Sequence, residues 1–157
     1  DKCYYIYSDK ADLKWFNETA KAQIQDILNK NPYTTFRIVI SLGSFDFDNV
    51  SNYISTYSKL AKTTWKTQRL YIDSINPVNE EQMEKSKVYS RTNINTTKIN
   101  EFNKQLNQLI SNENVSNLKY INTYGELTNQ GFTTKDGFNY TNESYQTFHD
   151  SVKKLAL

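Results

Sequence analysis

Cysteine and long apolar runs are almost absent from this sequence, and each absence excludes a class of protein. The 157 residues contain one cysteine, two prolines and four glycines. A single thiol forms no internal disulfide and no multi-cysteine zinc site. Cys3 lies in the first apolar run and is therefore predicted to be a small buried hydrophobe. No apolar run approaches the length of about eighteen residues that a membrane-spanning helix needs, so no membrane span is expected.

Clustered charge of one sign is also lacking. The net charge is +2, and no basic block stands out, whereas a surface that follows nucleic-acid phosphates needs clustered Lys and Arg. Nucleic acid is therefore not an expected partner. Aromatic residues are abundant, because twelve Tyr, eight Phe and two Trp supply large buried area. A chain of this length is predicted to form one domain, residues 1–157, that buries roughly 70% of its unfolded surface.

The stretch FRIVISLGSFDFDN, residues 36–49, is the most informative part of the chain. It begins with an apolar, largely β-branched run, breaks at a glycine turn and continues into an acidic and aromatic turn. Such a run predicts a buried strand, and a helical pattern follows it from residue 50. Strand, glycine turn and helix in this order are typical of an α/β sheet, where ligands bind beyond the carboxyl ends of the strands. This turn is therefore the first candidate site.

Predicted strands and helices alternate along the whole chain. Further strands are predicted at 3–7, 69–75 and 118–123. Amphipathic helices are predicted at 15–31, 50–61, 94–110 and 145–155, and a short helical turn at 124–130. Residues 78–92 are polar and lack clear periodicity, so they are predicted to form a long surface loop. The alternation predicts a parallel sheet with helices on both faces.

The order of these motifs resembles the SGNH hydrolases, the GDSL-type esterases and acylhydrolases, especially small members from Gram-positive, clostridia-like bacteria. The resemblance covers almost the whole chain, and INPV (75–78) and DGFNYTNESY (136–145) are its most specific parts. It implies an α/β three-layer α/β/α sandwich with a flavodoxin-like parallel sheet in strand order 2-1-3-4-5. It also implies a serine nucleophile near the end of the first strand, an Asp and His pair on the last loop, and an extracellular or cell-surface location.

The family's third motif, Gly-x-Asn-Asp, corresponds here to Gly43-Ser44-Phe45-Asp46. Gly43 and Asp46 match the motif, but Phe45 occupies the position of the Asn that donates to the oxyanion. A phenyl ring has no N–H group, and the loss of one such donor typically costs about two to three orders of magnitude in rate. The resemblance therefore implies a weakened oxyanion site.

The family's last motif, Asp-x-x-His, corresponds here to residues 136–139. Asp136 matches, whereas Asn139 stands where the resemblance implies the general base. An amide accepts no proton near neutral pH, so general base catalysis is not expected at this position. Asp136 is then either a structural remnant or the cap of the last helix.

The remaining family motifs are absent. The second motif's glycine is not found in the corresponding turn, 10–13, and the chain contains no Gly-Asp-Ser. The chain therefore starts at what would be the family's second strand. In the family the first strand lies inside the sheet, so its absence leaves three alternatives open: residues outside this chain supply the strand, the N-terminal segment pairs differently, or a second molecule fills the gap.

Other candidate residues favour structural roles. His149 lies beside the apolar stripe of the last helix and is predicted to be structural. Ser44 lacks a nucleophile elbow and a base within sequence reach, so it is interpreted as a turn serine. The acidic residues of the two loops lack the spacing of a known cation loop, and no metal or other cofactor is expected. Five aromatic residues are candidates for sugar stacking but are favoured as core: Trp15, Phe45, Phe47, Phe138 and Tyr140.

Two function hypotheses follow from these residues. The first is an SGNH hydrolase-like domain without catalysis, a pseudoenzyme that binds a carbohydrate, a cell-wall polymer or an acylated small molecule. In this hypothesis Gly43, Ser44, Phe45, Asp46, Asp136 and Asn139 form a vestigial site. The second is an active esterase whose serine lies on a segment upstream of this chain. The second hypothesis leaves Phe45 and Asn139 unexplained.

Overall fold

The computed structural model describes residues 2–87 and 93–157 and shows helices and strands in alternation. The elements are α1 (Leu13–Trp15), a π-helical turn (Phe16–Ala20), α2 (Lys21–Lys30), β1 (Arg37–Ile40), a 3-10 turn (Phe47–Asn49), α3 (Val50–Lys62), β2 (Arg69–Asp73), α4 (Glu80–Lys85), α5 (Thr96–Glu113), β3 (Leu118–Ile121), α6 (Thr123–Gln130) and α7 (Asn142–Ala156). No helix in the described ranges has both the length and the hydropathy that crossing a membrane requires.

The three strands form one parallel sheet in the order β1-β2-β3. Ile40 lies opposite Ile72, and Asp73 lies opposite Ile121, so all three strands end at the same edge of the sheet. Parallel neighbours need crossover connections, which the intervening helices supply. The predicted parallel α/β architecture is therefore confirmed.

Both faces of the sheet are covered by helices. Alternate strand residues such as Ile38, Leu70 and Ile72 belong to the main core. Buried side chains of the first helical segment (α1, the π-helical turn and α2), of α3 and of α5 complete this core. The residues between them face the other side, where Tyr71 and Ile121 pack with Ala156 of α7. Strands covered on both faces are rich in β-branched and aliphatic residues, which is why these runs do not alternate with polar residues. The fold is the predicted three-layer α/β/α, flavodoxin-like sandwich.

The N-terminal segment differs from its prediction. Residues 3–7 form no strand, and Cys3 is exposed rather than buried. The segment is apolar enough for a strand and lines a groove beside β1, but it shares no strand pairing with β1, and an unpaired strand has no stability of its own. Ile6 alone packs against the main core, where it is half-buried.

The predicted loop 78–92 is also partly wrong, because α4 lies within it; residues 88–92 lie outside the described residues. Asn79 caps α4 by accepting a hydrogen bond from the backbone N–H of Gln82 at 3.0 Å. Met83 is fully buried and packs in the main core. A six-residue helix with one buried side chain shows no periodicity in the sequence, so burial of Met83 had no signal there.

Candidate functional site

A small cavity of about 190 Å³ lies beyond the carboxyl ends of β1 and β2. Its walls come from the segments that follow these two strands, from the loop before α7 and from the first turns of α7. The lining residues are Ser41, Leu42, Ser44, Ser74, Ile75, Asn76, Pro77, Val78, Phe138, Asn139, Tyr140, Tyr145 and Phe148. Ligands of open α/β sheets bind at this edge, because the loops there diverge and leave a crevice. The cavity is therefore the candidate site.

Asp136 and Asn139 form a tight turn at one side of this cavity. One carboxylate oxygen of Asp136 accepts the backbone N–H groups of Phe138 at 2.9 Å and Asn139 at 2.7 Å. The other oxygen accepts the side-chain Nδ2 of Asn139 at 2.7 Å. The amide thus stands beside the carboxylate, in the arrangement where the family resemblance implies an imidazole. It holds its own position and supplies no base.

Backbone pairing and side-chain hydrogen bonds hold the loop that carries this turn. Its ends are joined by an antiparallel bridge between Thr134 and Tyr140. Gln82 of α4 hydrogen-bonds to the hydroxyl of Thr134 and, at 3.1 Å, to its carbonyl oxygen. Thr141 caps α7, so the alternative that Asp136 caps this helix is wrong. The loop therefore holds Asn139 at the cavity wall through contacts with both α4 and α7.

Phe45 lies against the same turn. Its ring meets the ring of Phe138 edge to face, with centroids 5.7 Å apart. Ser44 lines the cavity with Asn139, so the structure brings the two predicted loops together at one site. Where the resemblance implies an Asn donor, the ring of Phe45 instead packs on Phe138, and Phe45 itself does not line the cavity.

Asp46 and Gly43 do not line the cavity. Asp46 accepts the backbone N–H of Leu13 at 3.1 Å and the hydroxyl of Tyr53, so it ties α1 to α3. Burial, and then the hydrogen bond to Asp46, raise the pKa of Tyr53 far above its usual range. Gly43 has a φ of +124°, and a Cβ there would stand 2.5 Å from the ring of Phe102. Both residues therefore shape the turn after β1.

Asp73, at the end of the middle strand, is a candidate that sequence reasoning missed. It is fully buried. Ser41 and Thr123 each donate a side-chain hydrogen bond to its carboxylate at 2.6 Å. Burial raises the pKa of Asp73 to about 6, against the opposing effect of these hydrogen bonds. Because Ser41 lines the cavity, the carboxyl group lies directly behind the cavity wall.

Asp73, Thr123 and Asn76 belong to one hydrogen-bond network. Thr123 Oγ1 lies 2.6 Å from a carboxylate oxygen of Asp73 and 2.6 Å from the side-chain oxygen of Asn76. One hydroxyl has one proton and cannot donate to both acceptors. While Thr123 donates to an ionised Asp73, it gives no proton to the oxygen of Asn76. When Asp73 is protonated, the carboxyl group can donate to Thr123, which then donates to Asn76. Ser41, Ser74 and Thr123 follow the three strands, but the predicted strands 69–75 and 118–123 include Ser74 and Thr123, so only Ser41 was marked by the sequence.

Most of the aromatic candidates are only half-buried. Tyr140 is buried, and its hydroxyl donates to the carbonyl oxygen of Pro77 at 2.6 Å. Trp15, Phe47 and Phe138 pack against the main core while remaining half-buried, so their prediction as core is confirmed in this coarser sense. Tyr145, which was not among the candidates, lines the cavity, is 48% exposed and packs on Tyr140 with ring centroids 5.7 Å apart.

His149 does not line the cavity. Its Nε2 is 3.1 Å from the hydroxyl of Tyr5, in the N-terminal segment, and its Nδ1 is 3.9 Å from a carboxylate oxygen of Asp150. The imidazole thus contacts the N-terminal segment and its sequence neighbour at the surface rather than the candidate site. Over residues 2–87 and 93–157, no group of three or more His, Cys, Asp or Glu side chains is arranged to hold a metal ion.

Comparison with known proteins shows the fold. No family model matches the chain, and no curated protein is significantly similar to it. A solved structure described as a "putative platelet activating factor" from Streptococcus pneumonia is similar, with a TM-score of 0.61 and 22% sequence identity. The similarity covers 83% of this chain and 66% of that chain, so this chain spans just under two thirds of its length. This protein therefore has the α/β fold of that structure.

Proposed function

We propose that this chain is an SGNH hydrolase-like domain that binds a small uncharged ligand, a carbohydrate above all, and does not hydrolyse esters. The observation that carries the proposal is the hydrogen bond of 2.7 Å between Asn139 Nδ2 and Asp136. An amide hydrogen-bonded in this way recognises polar groups but cannot take a proton from a nucleophile. The structural likeness to the Streptococcus pneumonia protein supports a hydrolase-like scaffold for such a site.

The chemistry of the cavity favours an uncharged ligand. None of the lining residues in the described part of the chain is a Lys, Arg, Asp or Glu. Serine hydroxyls and the amides of Asn76 and Asn139 offer hydrogen bonds, and the exposed ring of Tyr145 offers a face for stacking. At about 190 Å³ the cavity is smaller than the roughly 300–1,000 Å³ of drug-sized pockets. It therefore suits one small group, such as a sugar ring or a short acyl chain.

Titration with N-acetylglucosamine, an uncharged sugar that also carries an acetyl group, tests the binding proposal. We expect saturable NMR shifts for Asn139 and Ser44. Tyr145→Ala should weaken binding roughly three- to tenfold, the usual value of one aromatic contact. Tyr33→Ala is the matched control, because Tyr33 is fully exposed and precedes β1, at the opposite end of the strand. Absence of saturation, or equal weakening by both variants, would contradict the proposal.

A chromogenic acetyl ester, p-nitrophenyl acetate, tests the absence of hydrolysis. We expect the unaltered protein to hydrolyse the ester no faster than buffer alone does. We also expect the buffer rate for the double variant Phe45→Asn with Asn139→His, because restoring a donor and a base supplies no nucleophile. Circular dichroism should confirm that the double variant is folded. Turnover that Asp136→Ala abolishes, in either protein, would show that a serine of this chain serves as nucleophile and would refute the proposal.

The second candidate is an esterase whose serine lies on a segment upstream of this chain. The observation that favours it is the position of Ser41, which lines both the cavity and a groove along the outer edge of β1. A strand lying in that groove would end beside the cavity. Extending the chain at its N-terminus and repeating the ester assay tests this candidate, and an unchanged buffer rate counts against it.

A further inference from the structure

Ser41 connects the candidate cavity with the buried carboxylate of Asp73. Its Oγ donates a hydrogen bond to Asp73 Oδ2 at 2.6 Å. Asp73 is fully buried, whereas Ser41 is exposed and lines the cavity. A hydrogen bond to an ionised acceptor is roughly twice as strong as a bond between neutral groups. The hydroxyl of Ser41 is therefore the point at which a buried negative charge meets the cavity.

This hydrogen bond decides what Ser41 offers to a ligand. A hydroxyl group has a single proton and can accept through its lone pairs, and the proton of Ser41 is directed to Asp73. An ionised carboxylate only accepts, so Ser41 cannot turn its proton to the cavity without depriving a buried charge of a donor, which is costly. Ser41 therefore presents lone pairs to the cavity, and a ligand group that donates a proton complements them.

The other titratable groups near Asp73 keep their charge where Asp73 changes its own. Tyr120 in β3 and Tyr140 in the loop before α7 interact with its charge. Burial raises the pKa of Tyr120 to about 12 and raises the pKa of Tyr140 well above its ordinary value, so both stay neutral. The carboxylate of Asp136 lies at the other side of the cavity, where it accepts the amide of Asn139. Asp73, whose pKa burial raises to about 6, is thus the buried group that titrates behind the cavity wall.

We propose that Asp73 is a positioning residue that keeps the Ser41 hydroxyl as a hydrogen-bond acceptor, so that the cavity selects a ligand hydroxyl group over a carbonyl oxygen in a ligand of the same shape. The inference rests on the small-ligand site proposed above and names the group that this site recognises. The amides of Asn76 and Asn139 can donate as well as accept, so they favour neither class. A carbonyl oxygen facing Ser41 would place lone pairs against lone pairs. Sugar hydroxyl groups are therefore favoured over acyl groups.

Cyclohexanol and cyclohexanone test this inference, because both are uncharged rings of nearly equal size and only the alcohol carries a donor. We expect NMR shifts of Ser41 and Asn139 to saturate with cyclohexanol. Its dissociation constant at pH 8 should be roughly tenfold lower than that of cyclohexanone. At pH 4, where Asp73 is protonated, this ratio should fall to roughly threefold or less, because Ser41 loses the negative charge that holds its proton.

Substitutions separate the roles of the two residues. Ser41→Ala should make the affinities for the alcohol and the ketone nearly equal, mainly by weakening binding of the alcohol. Asp73→Asn should give the same small ratio at both pH values, because asparagine stays uncharged and lets the hydroxyl of Ser41 turn. Ser51 is an exposed serine of α3 outside the cavity lining, so Ser51→Ala is the control and should keep the ratio and its pH dependence.

Three results would refute the inference: equal affinities for alcohol and ketone at pH 8, a preference for the alcohol that Ser41→Ala retains, and no saturation by the alcohol up to its solubility limit. A ratio that still depends on pH in Asp73→Asn would refute the role of Asp73. The sugar titration is judged separately. If N-acetylglucosamine does not bind but the preference for the alcohol holds, only the carbohydrate proposal fails. If the sugar binds and no such preference is found, only this inference fails.

Discussion

Replacing Gly137 by alanine is expected to lower the free energy of unfolding by roughly 3–5 kcal/mol, through backbone strain and steric overlap together. Gly137 has a φ of +92°, which L side chains rarely adopt. A Cβ there would stand 2.4 Å from the carbonyl oxygen of Asn79 and 2.4 Å from the backbone nitrogen of Met83. Both contacts are with backbone at the start of α4, so no side-chain rotation relieves them.

The same substitution should disturb the candidate site. The backbone of Gly137 accepts a hydrogen bond from the N–H of Asn79 at 2.8 Å, and this contact holds the loop of Asp136 and Asn139 against α4. Moving the loop away from α4 carries Asn139 away from the cavity wall. Urea denaturation measures the stability, and NMR shifts of Asn139 and Phe138 report the displacement of the loop.

Gly131→Ala is the matched control for this prediction. Gly131 also has a positive φ, +84°, but a Cβ there would meet no atom within 4 Å. With a ψ of 151° it lies in a region that almost only glycine adopts, so alanine should cost the backbone strain alone, about 1–3 kcal/mol. Equal losses of stability in the two variants would show that the close approach of the loop to α4 contributes nothing.

Asp73 is expected to make stability depend on pH, and Asp73→Asn to remove that dependence. Burial raises the pKa of the folded carboxyl group from its ordinary value of 3.8 to about 6. Between these values the folded state holds a proton that the unfolded state has lost, so the unfolding free energy falls as pH rises from about 4 to about 6. The free energy of unfolding falls by about 3 kcal/mol in total between these pH values, and it does not fall further above pH 6.

Asparagine has nearly the shape of aspartic acid but is uncharged at every pH. The hydroxyls of Ser41 and Thr123 accept hydrogen bonds as well as donate them, so they can turn to suit the amide. Asp73→Asn should therefore be more stable than the parent protein above pH 6, with the difference disappearing near pH 4. Asp73→Ala should be less stable than the parent protein throughout, because it leaves a void and buried hydroxyls without their partner.

Thermal denaturation of these proteins between pH 4 and pH 8 measures the effect. Asp150→Asn is the control, since the Asp150 side chain is 62% exposed and its substitution should leave the slope unchanged. A parent protein whose stability relative to Asp73→Asn does not change across this range would contradict the prediction. It would mean that the carboxyl group is already ionised at pH 4.

Local sequence patterns predicted most of the fold. The β-branched runs that became β1, β2 and β3 were recognised because a strand buried on both faces needs continuous apolar residues. The third and fourth predicted strands end earlier than expected, at Asp73 and Ile121, because the polar residues after them turn into the site. The N-terminal strand was not formed, since a strand depends on a neighbour that the pattern does not reveal.

The candidate site was predicted less completely than the fold. Motif comparison drew attention to the turns at 43–46 and 136–139, and the structure places Ser44 and Asn139 on one cavity and Phe45 against Phe138. The motif comparison also predicted Asp46 and Gly43 as part of this site. In the structure these two residues lie outside the cavity and stabilise the turn after β1. Met83 lies within the predicted surface loop 78–92, although it is completely buried.

The sequence by itself determined the alternation of strands and helices and the chemical character of the two loops, because periodicity and residue type are local properties. Only the tertiary structure decided that Asp73, Ser41 and Thr123 share one buried network, and that the outer edge of β1 is open. These features join residues that are up to 82 positions apart, from 41 to 123, and they depend on the register of the strands and on which neighbour each strand has. Pairing and burial are properties of the assembled sheet, so no single segment of the chain contains them.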